Sequence, residues 1–132
     1  MRELENWCKG LADLTRLRIL NLLLAGELCG CDLQYVLETS QPNVSRHLTY
    51  LKHAGLVLDR RDGYRVFYRL AEAKGKRKAL LDFLRLAFRD EESLRRDRER
   101  LRHAIRDGSC TLGEAPRFVP VGRLRGGASA RG

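Results

Sequence analysis

The sequence predicts a mainly α-helical domain with one small β-hairpin, and three observations predict it. Apolar residues recur at helical spacing from Leu4 to Leu51 and again from Leu80 to Phe88. The period changes to two between Leu56 and Leu70, and Asp62-Gly63 marks a turn between the halves of that stretch. The chain has 132 residues, enough for one domain with a tail, and a hydrophobic content of 43% allows a packed core. The domain is read as 1–106. A flexible basic tail is read over 107–132, because Gly108 to Gly132 carries six glycines and two prolines without periodicity.

Each element has its own local cause. Leu4, Trp7, Cys8 and Leu11 form one stripe of a first helix. Asp13 caps a second helix, Leu14 to Ala25, with Leu17, Leu20, Leu23 and Leu24 inward and Gly26 as its stop. Glu27-Leu28-Cys29 reads as a short extended piece, and a third helix covers roughly Asp32–Glu38. Ser40 caps a fourth helix, with Pro42 in the first turn, where a missing N–H costs nothing. Val44, Leu48 and Leu51 form its inward stripe and Gly55 ends it. Helix, short turn and helix with this division of faces make a helix-turn-helix. Leu56-Val57-Leu58 and Tyr64 to Leu70 form a hairpin with Arg60, Arg61 and Arg65 crowding its tip, which makes a wing. Leu80, Leu81, Leu84, Ala87 and Phe88 give a last helix, whose pattern fades into Arg/Glu/Asp-rich sequence up to about Arg106. The fold class is therefore a winged helix-turn-helix.

Net charge is +9, and its distribution names a partner. Residues 40–70 hold six Arg/Lys against two Asp, and residues 74–106 hold twelve against six Asp/Glu. A basic surface favours a polyanion, nucleic acid being the commonest, and the expected partner is double-stranded DNA. A helix N-terminus attracts phosphate, and side chains in its first turns reach base edges in the major groove. Amide, hydroxyl and guanidinium groups supply the donors and acceptors that bases require. Ser40, Gln41, Asn43, Ser45 and Arg46 stand at that end, and Arg61 and Arg65 of the wing meet phosphates or the minor groove. His47 borders the core stripe, so a half-buried, hydrogen-bonded role stands beside a phosphate contact. The first helix and the Leu80–Phe88 helix carry more apolar face than a small core uses. Pairing two subunits through them, the first and last helices, gives a homodimer with two reading heads.

No apolar run reaches the length of a membrane span, and the longest, Ile19 to Ala25, is broken by Asn21. The first residues lack the layout of a secretion signal, so the expectation is a cytoplasmic protein with no membrane partner. An enzyme is not expected: there is no Gly-rich phosphate loop, no His-x-x-x-His pair and no acid–base pair, and His47, His53 and His103 are scattered.

Cys8, Cys29, Cys31 and Cys110 read as free thiols in a reducing compartment. Thiolate is a soft ligand for As(III), Sb(III), Cd(II), Pb(II), Zn(II) and Cu(I). Cys29 and Cys31 stand at or just before a helix N-terminus, whose field lowers a thiol pKa, and Gly30 between them offers no side-chain obstacle. A trivalent arsenic site prefers three sulfurs. Cys8 is either a buried stripe residue or a third ligand reaching the pair of the other subunit, the reading favoured here. Cys110 is either a ligand that folds back or a bystander.

Glu27 to Leu33, Ser40-Gln41-Pro42 and Ser45-Arg46-His47-Leu48 resemble the ArsR/SmtB metalloregulatory repressors, and among them the arsenic-responsive members. Asp13 to Leu20, Asp59-Arg60-Arg61 and Tyr68-Arg69-Leu70 fit the same pattern, so the resemblance spans about residues 10–70. It implies a dimeric winged helix that occupies an operator and releases it when As(III) or Sb(III) binds as inducer, with no permanent cofactor. It implies ligation by Cys29 and Cys31 with a third cysteine three positions on, where this chain has Gln34. Cadmium- and lead-responsive relatives bring an N-terminal cysteine across from the other subunit, which suits Cys8. Zinc-responsive members use His and acidic residues on the last helix, where this chain offers Asp82 without a nearby His. A cadmium/lead-responsive or thiol-redox-responsive repressor of the same fold is the alternative.

Overall fold

The computed structural model describes residues 2–107. Six helices and three strands follow in the order α1 Arg2–Leu11, α2 Leu14–Leu23, β1 Leu28–Cys29, α3 Gly30–Leu37, α4 Gln41–His53, β2 Val57–Asp62, β3 Arg65–Leu70, α5 Gly75–Arg89 and α6 Glu92–Asp107. The strands form one antiparallel sheet in the order β1-β3-β2, so the short extended piece before α3 is paired to the wing. Its register is Leu28 with Tyr68 and Cys29 with Phe67.

The caps read from sequence are present. Asp13 accepts from the N–H groups of Thr15 and Arg16 at 2.7 and 3.2 Å, and Ser40 Oγ accepts from Asn43 N–H at 3.2 Å. The core gathers around α2, where Ile19, Leu20, Leu22 and Leu23 are fully buried. Leu33 and Val36 of α3, Leu48 and Leu51 of α4, and Leu56 and Val57 at the start of the wing close around it. Burying a Leu or Ile side chain contributes about 1.5–3 kcal/mol each, which makes this cluster the main stabilising element.

Four local readings need correction. The hairpin turn is Gly63-Tyr64, since Asp62 pairs with Arg65; Gly63 takes φ 69, the left-handed region that a glycine first in a two-residue loop supplies. The first helix buries Trp7 and leaves Leu4 and Cys8 exposed, because the core meets only one edge of the expected stripe. α3 begins at Gly30, with Cys29 as its cap. The last helix is not the Leu80–Phe88 segment, because the chain turns at Asp90-Glu91 and a separate α6 runs through Asp107. The expected tail beyond that point, with Cys110, lies outside the described residues.

α6 escaped notice because a charged residue sits in its buried stripe of Leu94, Asp97, Leu101 and Ala104. Asp97 accepts two bonds from Arg18 of α2, from Nε at 2.7 Å and Nη2 at 3.0 Å. Asn21 of α2 donates to Leu94 O at 3.0 Å and accepts from Arg98 at 2.7 Å. Arg100 donates to Val36 O and Tyr35 O, so α6 also closes the C-terminal end of α3. With α6 packed on α2 and α3, the large apolar side chains left exposed on the first and fifth helices are Leu4 (52%), Phe83 (61%) and Leu86 (58%).

Asp97→Ala is expected to lower unfolding free energy by about 1–3 kcal/mol, because a bidentate, charge-assisted pair is lost while Arg18 still reaches water. Urea unfolding at neutral pH reads it, and an unchanged midpoint would mean that the pair does not hold α6.

Candidate nucleic-acid interface and thiol centre

The recognition-type helix α4 presents a divided surface. Val44, His47, Leu48 and Leu51 are buried, while Gln41, Arg46, Thr49 and Tyr50 are exposed and Asn43 and Ser45 half-buried. Ser40, Gln41, Asn43, Ser45 and Arg46 are therefore brought together around one helix end, as the sequence suggested. Asn43 is engaged on both sides of its amide: Nδ2 donates to Thr39 Oγ1 at 3.0 Å, and Oδ1 accepts from Arg46. These bonds fix side chains that would otherwise lose rotamer freedom on meeting a ligand.

His47 departs from that group. It is 6% exposed, and its Nδ1 lies 3.2 Å from Nη1 of Arg16. Burial pushes its pKa below the ordinary histidine value, with Arg46 and Arg16 acting in the same direction and Asp13 opposing them. The ring faces α2, which favours the hydrogen-bonded role over the phosphate contact.

The wing arginines divide by partner. Arg60 is tied to Glu27 by two 2.8 Å bonds and stacks 4.7 Å from the Phe67 ring centroid, so it anchors the hairpin to the segment leading into β1. Arg61 is exposed. Arg65 is half-buried, with its guanidinium 5.7 Å from the Tyr64 ring centroid. Tyr64 itself is 88% exposed at the tip.

Cys29 and Cys31 are brought together, with their sulfurs 3.1 Å apart. Two bonds of about 2.3 Å to one ion can span up to about 4.6 Å, so both sulfurs can reach the same ion without a change of backbone. Cys29 ends β1 and caps α3: its Sγ accepts from Cys31 N–H at 3.3 Å, while its own N–H donates to Asp32 Oδ2 at 2.9 Å, completing a capping box. Asp32 is buried beside it, and Cys31 Sγ lies 3.9 Å from Asp32 Oδ1. The expected lowering of the Cys29 pKa by the helix field does not occur. Burial pushes this thiol up, with the neighbouring Cys31 adding to the effect and the Cys31 N–H opposing it.

Among the described residues, no three His, Cys, Asp or Glu side chains gather as a metal-binding group, so Cys8 does not complete the pair within one chain. Cys8 is exposed on α1. No described helix is long and apolar enough to cross a membrane. Sequence reasoning missed two residues of this surface. Arg16 and Tyr50 stack at 4.0 Å, and the only sequence signal was a basic residue three positions after the Asp13 cap.

Comparison with known proteins places these features in a lineage. Residues 13–58 match the bacterial regulatory protein, arsR family. The chain is 56% identical over 64 residues to the arsenic resistance transcriptional regulator ArsR1 of Pseudomonas putida, covering 47% of this chain and 49% of that protein. It is 44% identical over 72 residues to the arsenical resistance operon repressor of Staphylococcus aureus, covering 54% of this chain and 69% of the repressor. The match thus spans about half the length of the Pseudomonas putida relative. A homodimeric winged helix-turn-helix DNA-binding domain from Mycobacterium bovis superposes with a TM-score of 0.58 at 30% identity, over 64% of this chain and 77% of that one. The fold is that winged helix-turn-helix, and the chain belongs to the arsR family of bacterial regulatory proteins, a family of transcriptional regulators rather than enzymes.

Proposed function

We propose that this chain is a DNA-binding transcriptional repressor, active as a homodimer, that releases operator DNA when As(III) or Sb(III) binds Cys29 and Cys31. The observation that carries the reading is the 3.1 Å approach of two sulfurs at the cap of the helix preceding α4. The names of the relatives point the same way: the Pseudomonas putida and Staphylococcus aureus proteins are arsenic resistance regulators. Pairing of subunits uses α1 and α5, whose Leu4, Phe83 and Leu86 lack apolar cover in one chain. Pairing through α6, the last helix among the described residues, has no comparable apolar support, because α6 packs on α2 and α3. The exposed Cys8 supplies the third thiolate from the partner.

Proton balance favours the trivalent metalloids over the divalent alternatives. Arsenous acid condenses with protonated thiols by losing water, with no net proton released. A divalent cation must displace one proton from each thiol it binds. At neutral pH a buried thiol such as Cys29 is held protonated, which costs cadmium or lead binding and leaves arsenite condensation unaffected. The same burial works against a sensor that reacts with oxidants as a thiolate.

Release then follows from linkage: an inducer that prefers the DNA-free shape weakens DNA binding by the same factor, typically about 5–150-fold. Exchanging the S–H bond of Cys29 for an S–As bond redirects the lone pairs of the sulfur that accepts the Cys31 N–H, so the geometry of the α3 cap would change. The N-terminal end of α3 readjusts, and with it the helix packed against α4.

Cys29→Ser with Cys31→Ser is expected to retain affinity for a duplex selected from a random pool by the wild-type protein, and to lose arsenite-induced release. Fluorescence anisotropy reads both, and persistent release by the double variant would contradict the assignment. Cys8→Ser tests the third ligand: a weaker arsenite response at unchanged DNA affinity supports it.

The reading face makes a second expectation. Gln41→Ala should cost about 1–3 kcal/mol on the selected duplex and relax preference at one base position. Arg61→Ala should weaken all duplexes alike and reduce the slope of log affinity against log salt by about 1. Identical behaviour of the two variants would mean that α4 does not read bases.

A further inference from the structure

Arg16 occupies a junction of three helices, α1, α2 and α4. It lies in the first turn of α2, its side chain is only 12% exposed, and all three of its nitrogens are engaged. Nε donates to Gly10 O at 2.9 Å and Nη2 donates to Lys9 O at 3.1 Å, so the guanidinium closes the last carbonyls of α1. Nη1 lies 3.2 Å from Nδ1 of His47 on α4, and the guanidinium plane covers the Tyr50 ring at 4.0 Å. His47 and Tyr50 are three positions apart, one helical turn, so the same cation touches α4 twice. One side chain therefore joins the end of α1 to the middle of α4.

The chemistry of the contact fixes its charge state. A guanidinium has no acceptor, so Nδ1 of His47 must accept and the imidazole must be neutral, with its proton on Nε2. Protonation removes the acceptor and sets two cations 3.2 Å apart in a buried place. The charged groups acting on the ring are Asp13 and Arg16 at the start of α2 and Arg46 on its own helix. Asp13 lies 4.0 Å from Arg16, and its carboxylate is also committed to the α2 cap.

We propose that Arg16 is a positioning residue that sets the angle of α4 against α1 through a neutral His47. In the paired protein α1 belongs to the subunit contact, so the clamp carries the placement of one subunit to the reading surface. This rests on the DNA-binding reading above for its consequence and on the contacts of Arg16 alone for its geometry. Because burial lowers the His47 pKa, the neutral form is favoured in the fold. The clamp is complete above the ordinary histidine pKa of about 6.5 and is lost only as pH falls through the lower pKa that the folded protein gives His47.

A pH profile from 8.0 down to the acid limit of folding, at constant ionic strength, tests it, with the full chain and the selected duplex. Wild type should lose about tenfold in affinity on acidification, relative to His47→Asn measured at each pH. Asn places an amide oxygen near the position of Nδ1 and does not titrate, so this variant should bind as wild type does at pH 8.0. Arg16→Lys, with one nitrogen for three acceptors, should bind more weakly at every pH and lose the His47-dependent change. A phosphate contact by His47 predicts the opposite sign, tighter binding in acid, and that result would overturn the proposal.

Amide exchange of the DNA-free protein supplies an independent reading. At that acid limit the amides of Ala12 and of residues 47–51 should exchange faster in wild type than in His47→Asn. If no duplex is bound but this difference appears, the DNA-binding reading fails and the clamp stands. Equal exchange in the two proteins overturns the clamp.

Discussion

The cap that Cys29 gives to α3 is the contact on which the arrangement depends. One residue ends β1, pairs with Phe67 of the wing, accepts the Cys31 N–H through its sulfur and donates its own N–H to buried Asp32. Strand pairing fixes where the wing stands, and the capping box fixes where α3 begins. α3 packs on α4, and Arg100 of α6 closes the other end of α3. Chemistry at this sulfur therefore acts on a contact shared by the wing and the helix-turn-helix. A thiol is a weaker acceptor than a hydroxyl or carboxylate, so this cap is weakly held and its geometry follows the bonds that the sulfur makes.

A charge of +9 overstates what is available to a polyanion. Arg18 is committed to Asp97, Arg60 to Glu27, Arg98 to Asn21 and Arg100 to carbonyls of α3. These cations serve as internal ties, each closing a helix end or joining two elements. Arg46 and Arg61 remain exposed, Arg46 bonded to Asn43 of its own helix and Arg61 on the wing. The division separates arginines that orient an element from those whose guanidinium faces solvent.

Much of the fold was legible in the sequence because its signals are local. Asp13, Ser40 and Pro42 mark helix starts by their own chemistry, and the change of period at Leu56 announces the wing. The thiol pair and the α4 face were legible for the same reason, since both lie within a few residues of one another. What escaped was set by distant partners. Arg16 reads as an ordinary basic residue until α1 and α4 fold against it. Asp97 looks solvated until Arg18 arrives from 79 positions away. A thiol seldom fills a cap position, so the sequence signals point to a helix from Asp32, whereas α3 begins two residues earlier at Gly30. The Cys29 pKa went the other way for a related reason: helix field was visible in sequence, and burial was not.

Amide spectra of the protein during an arsenite titration test the connection between sulfur and reading helix most directly. The amides of Cys29 to Leu33 and those of Ser40 to Ser45 should shift together, at one stoichiometry, and neither set should move when both cysteines are replaced by serine. Changes confined to residues 27–33, with the α4 amides still while duplex is released, would contradict it.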